Sequence, residues 1–180
     1  MFADKVDIVG QIDVLRRYAR VLTRDASAAD DLVQSTLLRA HERSATFRTG
    51  SDVRVWLMSI LHNIFIDDRR SARATEARER AWVEMHPGFS PPSGENAARL
   101  GQIREAFFSL VHEQREALHL VAVEGLELAE AAKVLGVPTG TVMSRVGRAR
   151  KALRKYEESG PKGAITRTFR VVGGRHEKAD

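Results

Sequence analysis

Between Thr139 and Lys155 six cations, Arg145, Arg148, Arg150, Lys151, Arg154 and Lys155, stand with no acid among them. The chemistry this run offers is phosphate binding, because clustered guanidinium and ammonium groups concentrate a polyanion. As charge alone it would be a solvated cationic face. The stretch before it is opposite in sign. From Ala98 to Pro138, Glu105, Glu113, Glu116, Glu124, Glu127 and Glu130 outnumber Arg99, Arg104, Arg115 and Lys133. A second set with chemical potential is His62 with Asp67 and Asp68. Offsets of five and six scatter these three around a helix, whereas a ligand pair needs i, i+4. No phosphate-cradling glycine loop, nucleophile elbow or dinucleotide fingerprint occurs. Catalysis is therefore not expected, nor a cofactor or a metal.

The chain has 180 residues, 29 Lys+Arg against 24 Asp+Glu, and no cysteine. Without cysteine there is no disulfide framework, thiolate metal site or cysteine nucleophile. At 43% hydrophobic and 29% charged the composition is that of an ordinary globular protein. No run approaches the roughly 20 apolar residues of a membrane-spanning helix, so no membrane insertion is expected. The first residues, with Asp4 and Asp7 and no long apolar core, do not read as a secretory leader. A cytoplasmic protein is expected.

The elements that must carry these side chains read as helix nearly throughout. Ile12, Leu15, Ala19 and Leu22 form a stripe from Ile12 through Leu22. Ser27-Ala28-Ala29-Asp30 reads as a capping box, followed by Leu32, Val33, Thr36, Leu37 and Ala40 on one face. Asp31, Gln34, Ser35 and Arg39 fall on other faces. Phe47 to Asp52 reads as a loop, with Gly50 for the turn and Ser51 or Asp52 as the next cap. Trp56, Leu57, Ile60, Leu61, Ile64 and Phe65 then make an apolar stripe whose far end turns basic at Arg69, Arg70 and Arg73. These three helices predict a small bundle from about Val9 to Arg73.

The prolines and glycines from His86 to Gly94 cannot hold a helix, so residues 76–96 read as a flexible linker, semi-stiff at Pro91-Pro92. Trp82, Val83 and Met85 offer a short apolar docking patch within it. A second helical unit is expected over 97–158. The tail, 159–180, reads as poorly ordered, with Ile165, Phe169, Val171 and Val172 leaving room for a short strand or a docking segment. The fold expected is all-α: two small helical domains joined by a flexible linker.

Leu126 to Val146 has the parts of a helix-turn-helix. Ala131 or Ala132 allows close helix contact, Gly136 suits the turn, and Thr139 or Thr141 can cap the second helix. Val142, Val146, Ala149 and Leu153 would face inward and Met143, Ser144, Arg145, Arg148 and Lys151 outward. That geometry places the second helix in a major groove, with arginines on phosphates or guanine edges. A basic helical hairpin in an ordinary bundle is the bland alternative.

Here the sequence resembles a known family. Asp30-Asp31-Leu32-Val33-Gln34-Ser35-Thr36-Leu37-Leu38-Arg39-Ala40, with Val55 to Asp67, resembles the first domain of extracytoplasmic-function (ECF, group IV) sigma factors of the sigma-70 family. Gly136 to Arg154 resembles their second domain. The two stretches occur in the right order with the right spacer. The resemblance implies a sigma-2-like domain at 9–75 and a sigma-4-like helix-turn-helix domain at 97–158, in a dissociable subunit that gives RNA polymerase its promoter choice. It implies docking on the coiled coil of the polymerase's largest subunit through Asp30, Asp31, Gln34 and Ser35, where the family usually has glutamate at Ser35.

It further implies contact with the −10 element by Ser51, Asp52, Trp56, Asn63, Arg69, Arg70 and Arg73. Unstacking a base costs a few kcal/mol, so a pocket and cations must offset it. By spacing alone, Trp56 reads as core sooner than as a base contact, and Asn63 reads equally as an ordinary exposed amide. Contact with the −35 duplex would fall to Thr141, Met143, Ser144, Arg145, Arg148 and Lys151. Met143 stands where Lys or Arg is usual, and Gly147 where a larger residue is common. The implied partners are core RNA polymerase, promoter DNA and an anti-sigma factor that holds the two domains closed, in a stress or envelope response. The implied location is the cytoplasm, with the nucleoid when in holoenzyme. Two rivals are a sigma-like decoy that sequesters an anti-sigma factor without binding DNA and a plain helix-turn-helix repressor. The unbroken basic run argues against the first; the docking helix of the first bundle argues against the second.

Overall fold

The computed structural model describes residues 8–48, 50–76 and 95–159, and of these 72–76, 95–99 and 159 by backbone alone. Trp82, Val83, Met85 and the whole 160–180 segment lie outside the described residues, so the expectations placed on them do too. After a 3-10 turn at Val9–Gln11, helix α1 (Ile12–Thr23) buries Leu15, Ala19 and Leu22 of the expected stripe and adds Tyr18 and Val21, while Ile12, at the helix start, is only half-buried. It ends at Arg24, which takes a left-handed backbone, φ 60°, and donates its N–H to the Arg20 carbonyl at 3.0 Å.

That ending moves the next cap. Asp25 is the first extended residue, and its Oδ1 accepts from the Ala28 N–H at 2.7 Å. Helix α2 (Ala26–Glu42) therefore starts ahead of the expected Ser27–Asp30 box. Ser27 lies inside the first turn, and Asp30 reaches sideways to Arg16 at 2.9 Å. Leu32, Val33, Thr36 and Ala40 are buried as their spacing predicts. Asp52 caps helix α3 (Val53–Glu76), accepting from the Arg54 and Val55 N–H groups at 2.7 and 3.3 Å.

The second half holds α4 (Glu95–Ser109), α5 (His112–Leu118) continuing into a π-helical turn (His119–Val123), α6 (Leu128–Leu135) and α7 (Thr139–Ser159). Glu130 closes one side of a capping box on α6, its Oε2 accepting from the Glu127 N–H at 2.9 Å. Gly136 ends α6 at φ 62°, a left-handed conformation that costs a side-chain-bearing residue roughly 1–2 kcal/mol. Among the described residues no strand occurs, and no helix is long and apolar enough to cross a membrane.

The helices pack α1 on α2 and α2 on α3 in the first half, and α5 and α6 on α7 in the second. The halves also pack on each other, α3 against α6 and α1 against α5 and the π turn. One apolar core therefore runs across both, with Leu57 and Leu61 of α3 and Leu120, Val134 and Val142 of the second half all buried in it. The structure is closed.

Candidate promoter and polymerase interface

Helix α7 presents the phosphate-binding chemistry. Val142, Val146 and Ala149 are buried, which turns Met143, Ser144, Gly147, Arg148 and Lys151 outward. Met143 is 61% exposed. The outer face is ordered by its own hydrogen bonds. The Ser144 hydroxyl donates to the Thr141 carbonyl at 2.9 Å, and Arg148 donates through Nη2 to Ser144 Oγ at 3.0 Å and through Nε to the Ser144 carbonyl at 3.3 Å. Beside it lies a groove of about 750 Å³ lined by Gln114, Arg148, Lys151, Arg154, Lys155 and Glu158, so the basic run continues along the helix. Thr141 is half-buried. Arg145 departs from the expected outward set: it is half-buried, and its charge is felt at His62 of α3.

On α2, Asp31, Gln34 and Ser35 share an exposed face, while Asp30 is half-buried and paired with Arg16. The same face carries Leu38, 68% exposed and seven residues beyond Asp31, a large apolar side chain that the sequence reading passed over. Its signal was present: Leu38 falls outside the stripe of Leu32, Val33, Thr36 and Ala40, so it had no core to enter.

The residues assigned to the −10 element string out along α3 rather than gathering in one pocket. From Asp52 to Arg70 the helix rises roughly 27 Å. Ser51, Asp52, Asn63 and Arg70 are exposed. Trp56 is half-buried against Phe47, ring centroids 5.2 Å apart. Arg69 is half-buried with its guanidinium 5.6 Å over the Phe65 ring. The Arg73 side chain lies outside the described residues. His62 is buried and Asp67 and Asp68 are exposed, so the three diverge as their offsets predict.

A polar cluster between the halves is the feature the sequence reading did not find. Glu124, just after the π turn, accepts from Arg17 Nε at 3.0 Å and Nη2 at 2.9 Å, and lies 3.2 Å from His119 Nε2. Burial alone would push its carboxyl up. Hydrogen bonds and charge from His119 and Arg17 outweigh that and hold it at about 2. The Tyr18 hydroxyl meets His62 Nδ1 at 3.0 Å, and its ring stacks on His119 at 5.8 Å. Burial lowers the His62 pKa and raises that of Tyr18. Arg115, 2% exposed, donates to the Val21 and Leu110 carbonyls at 3.2 and 3.1 Å, and burial draws it down to about 10. Ionisable residues set in the apolar frame of Ala117, Leu118 and Leu120 were the available signal.

Two family models match the chain, the Sigma2 domain of PhyR over residues 8–62 and Sigma-70, region 4 over residues 100–153. The fold and the outward cationic helix thus define a two-part sigma architecture. The chain belongs to the ECF RNA polymerase sigma factors. It is 35% identical over 175 residues to ECF RNA polymerase sigma factor EcfG of Rhodopseudomonas palustris, covering 93% of this chain and 94% of that one. It is 40% identical over 144 residues to ECF RNA polymerase sigma factor SigL of Mycobacterium tuberculosis, covering 78% and 81%. Among solved structures it resembles the sigma factor RpoE of Bartonella quintana, crystallised with the anti-sigma factor NepR. The TM-score is 0.74 at 30% identity, over 86% of this chain and 96% of that one.

Proposed function

We propose that this chain binds core RNA polymerase and directs initiation at a defined class of promoters, the polymerase supplying all catalysis. The observation that carries the reading is the outer face of α7, where Arg148 is held by Ser144 beside exposed Lys151 and Met143. It lies in the half that matches Sigma-70, region 4. In this reading Thr141, Met143, Ser144, Arg145, Arg148 and Lys151 contact the −35 duplex from the 97–158 domain. Ser51, Asp52, Trp56, Asn63, Arg69, Arg70 and Arg73 capture the melted −10 strand from the 9–75 domain. Asp31, Gln34, Ser35 and Leu38 form the polymerase-docking face, with Asp30 orienting α2 through Arg16. Residues 76–96 act as the tether between the domains. The protein works in the cytoplasm, at the nucleoid once in holoenzyme.

An anti-sigma factor is the expected regulator, holding the closed form by covering both DNA faces; the B. quintana relative was crystallised with one. The experiment that tests the reading is transcription in vitro with bacterial core polymerase and fragmented genomic DNA, followed by mapping of start sites. Starts at a shared pair of upstream elements are expected. A holoenzyme that forms but initiates nowhere would instead favour the decoy.

A further inference from the structure

We infer that Arg17 and Arg54 of the first half latch onto Glu124 of the second, and that this latch is autoinhibitory, keeping the free chain in a form that cannot span a promoter. The inference rests on the sigma-factor reading and adds a device within the chain itself. Both polar ends of Glu124 are taken by the other half. Its carboxylate, 2% exposed, is gripped by Arg17 from α1 in a bidentate pair, and its backbone carbonyl accepts from Arg54 Nη1 of α3 at 2.9 Å. Arg24 and Arg115 add crossings nearby, Arg24 Nη2 to the Phe108 carbonyl at 2.9 Å and Arg115 Nε to the Val21 carbonyl at 3.2 Å. Four arginines thus tie the two halves across the contact.

The seam is mixed: the halves share an apolar core, and these ion pairs and hydrogen bonds lie alongside it. On separation Arg17 and Glu124 regain water, so the polar ties add little to a cost set by the apolar surface exposed. The closed form is also unfit for the task. Elements centred at −35 and −10 lie about 25 base pairs apart, roughly 85 Å at 3.4 Å per pair. A compact chain of this length has a radius of gyration near ~16 Å. The halves must therefore separate to read both elements. In this closed form Arg145, a residue assigned to the −35 contact, is half-buried, and its charge reaches His62 of the first half.

The chain has no cysteine, so labels at two exposed alanines, A26C on α2 and A129C on α6, report the separation of the halves in the full-length protein. Alone, the labelled wild type should show one short distance, lengthening by tens of Å when core polymerase is added. R17Q leaves the Glu124 carboxylate with His119 only, and R17Q/R54Q also frees its carbonyl. Because Arg17 and Arg54 are not buried, both variants should keep the helical circular dichroism of the wild type. R17Q should raise the open population of the free chain about tenfold. Apparent affinity for core should rise by the same factor, since it scales with the competent fraction. A free wild type that is already open overturns the latch, as does a double variant whose distances and core affinity match the wild type. The labels report closure whether or not transcription starts, so failure of the latch and failure of the promoter reading give different results.

Discussion

His62 and Glu124 sit in one interface but answer acid differently. The folded pKa of His62 lies below its ordinary 6.5, chiefly through burial, with Glu116 raising it and His112 and Arg145 lowering it. The neutral imidazole, in contact with the Tyr18 hydroxyl, is the form the fold favours. Its stabilisation is complete above the unfolded pKa and is lost as pH falls through the lower folded one. Glu124, held at about 2 against 4.5, contributes fully above 4.5 and fails only as pH drops towards 2. Urea denaturation at pH 7.5 and at pH 5 should therefore show the wild type weaker at pH 5. H62Q should flatten that difference, and R17Q should not. Gly147 offers a second residue-scale test. A Cβ there meets nothing within 4 Å, so G147A should raise stability by about 1 kcal/mol through helix propensity. If the glycine lets backbone approach DNA, G147L will keep that gain and lose promoter affinity in a holoenzyme gel-shift assay.

At the scale of elements, α2 and α7 each bury one face and leave the other chemically distinct. Removing exposed Leu38 creates no cavity, so L38A should leave the urea midpoint unchanged. If the face docks on polymerase, truncating a large apolar side chain at its centre should cost core affinity about tenfold, roughly 1.4 kcal/mol, read by fluorescence anisotropy. On α7 the effect expected of Lys151 is electrostatic. K151A should weaken holoenzyme binding to all promoters alike and reduce the salt slope of log K by about one, the signature of one lost phosphate contact. A sequence-selective loss would instead make Lys151 a base reader.

For the whole molecule, length of chain between the halves sets what can be spanned. Residues 77–94 are 18 in number, and extended they reach roughly 60 Å. Deleting ten of them should leave the closed form intact, since α3 and α6 already touch, while abolishing initiation from promoters that need both elements. Start-site yield from a −10-only template should be affected far less. Such a split would separate closure from reach.

Much of this was legible in the sequence because it depends on neighbours a few residues away. The stripes of α1, α2 and α3 follow from a 3.6-residue repeat, and the turn at Gly136 follows from a residue with no Cβ. The outward Arg148 and Lys151 follow from the apolar positions opposite them. Local rules faltered where local options competed: with Arg24 left-handed, Asp25 took the cap that Ser27 was expected to supply. Arg145 shares the register of an outer face, yet the packed chain leaves it half-buried. The pairings of Glu124 with Arg17, 107 residues apart, and of Tyr18 with His62, 44 apart, belong to no sequence window. Periodicity tells which side of a helix avoids water, but only the packed halves decide which charges meet there, because that depends on how two surfaces far apart in sequence fit.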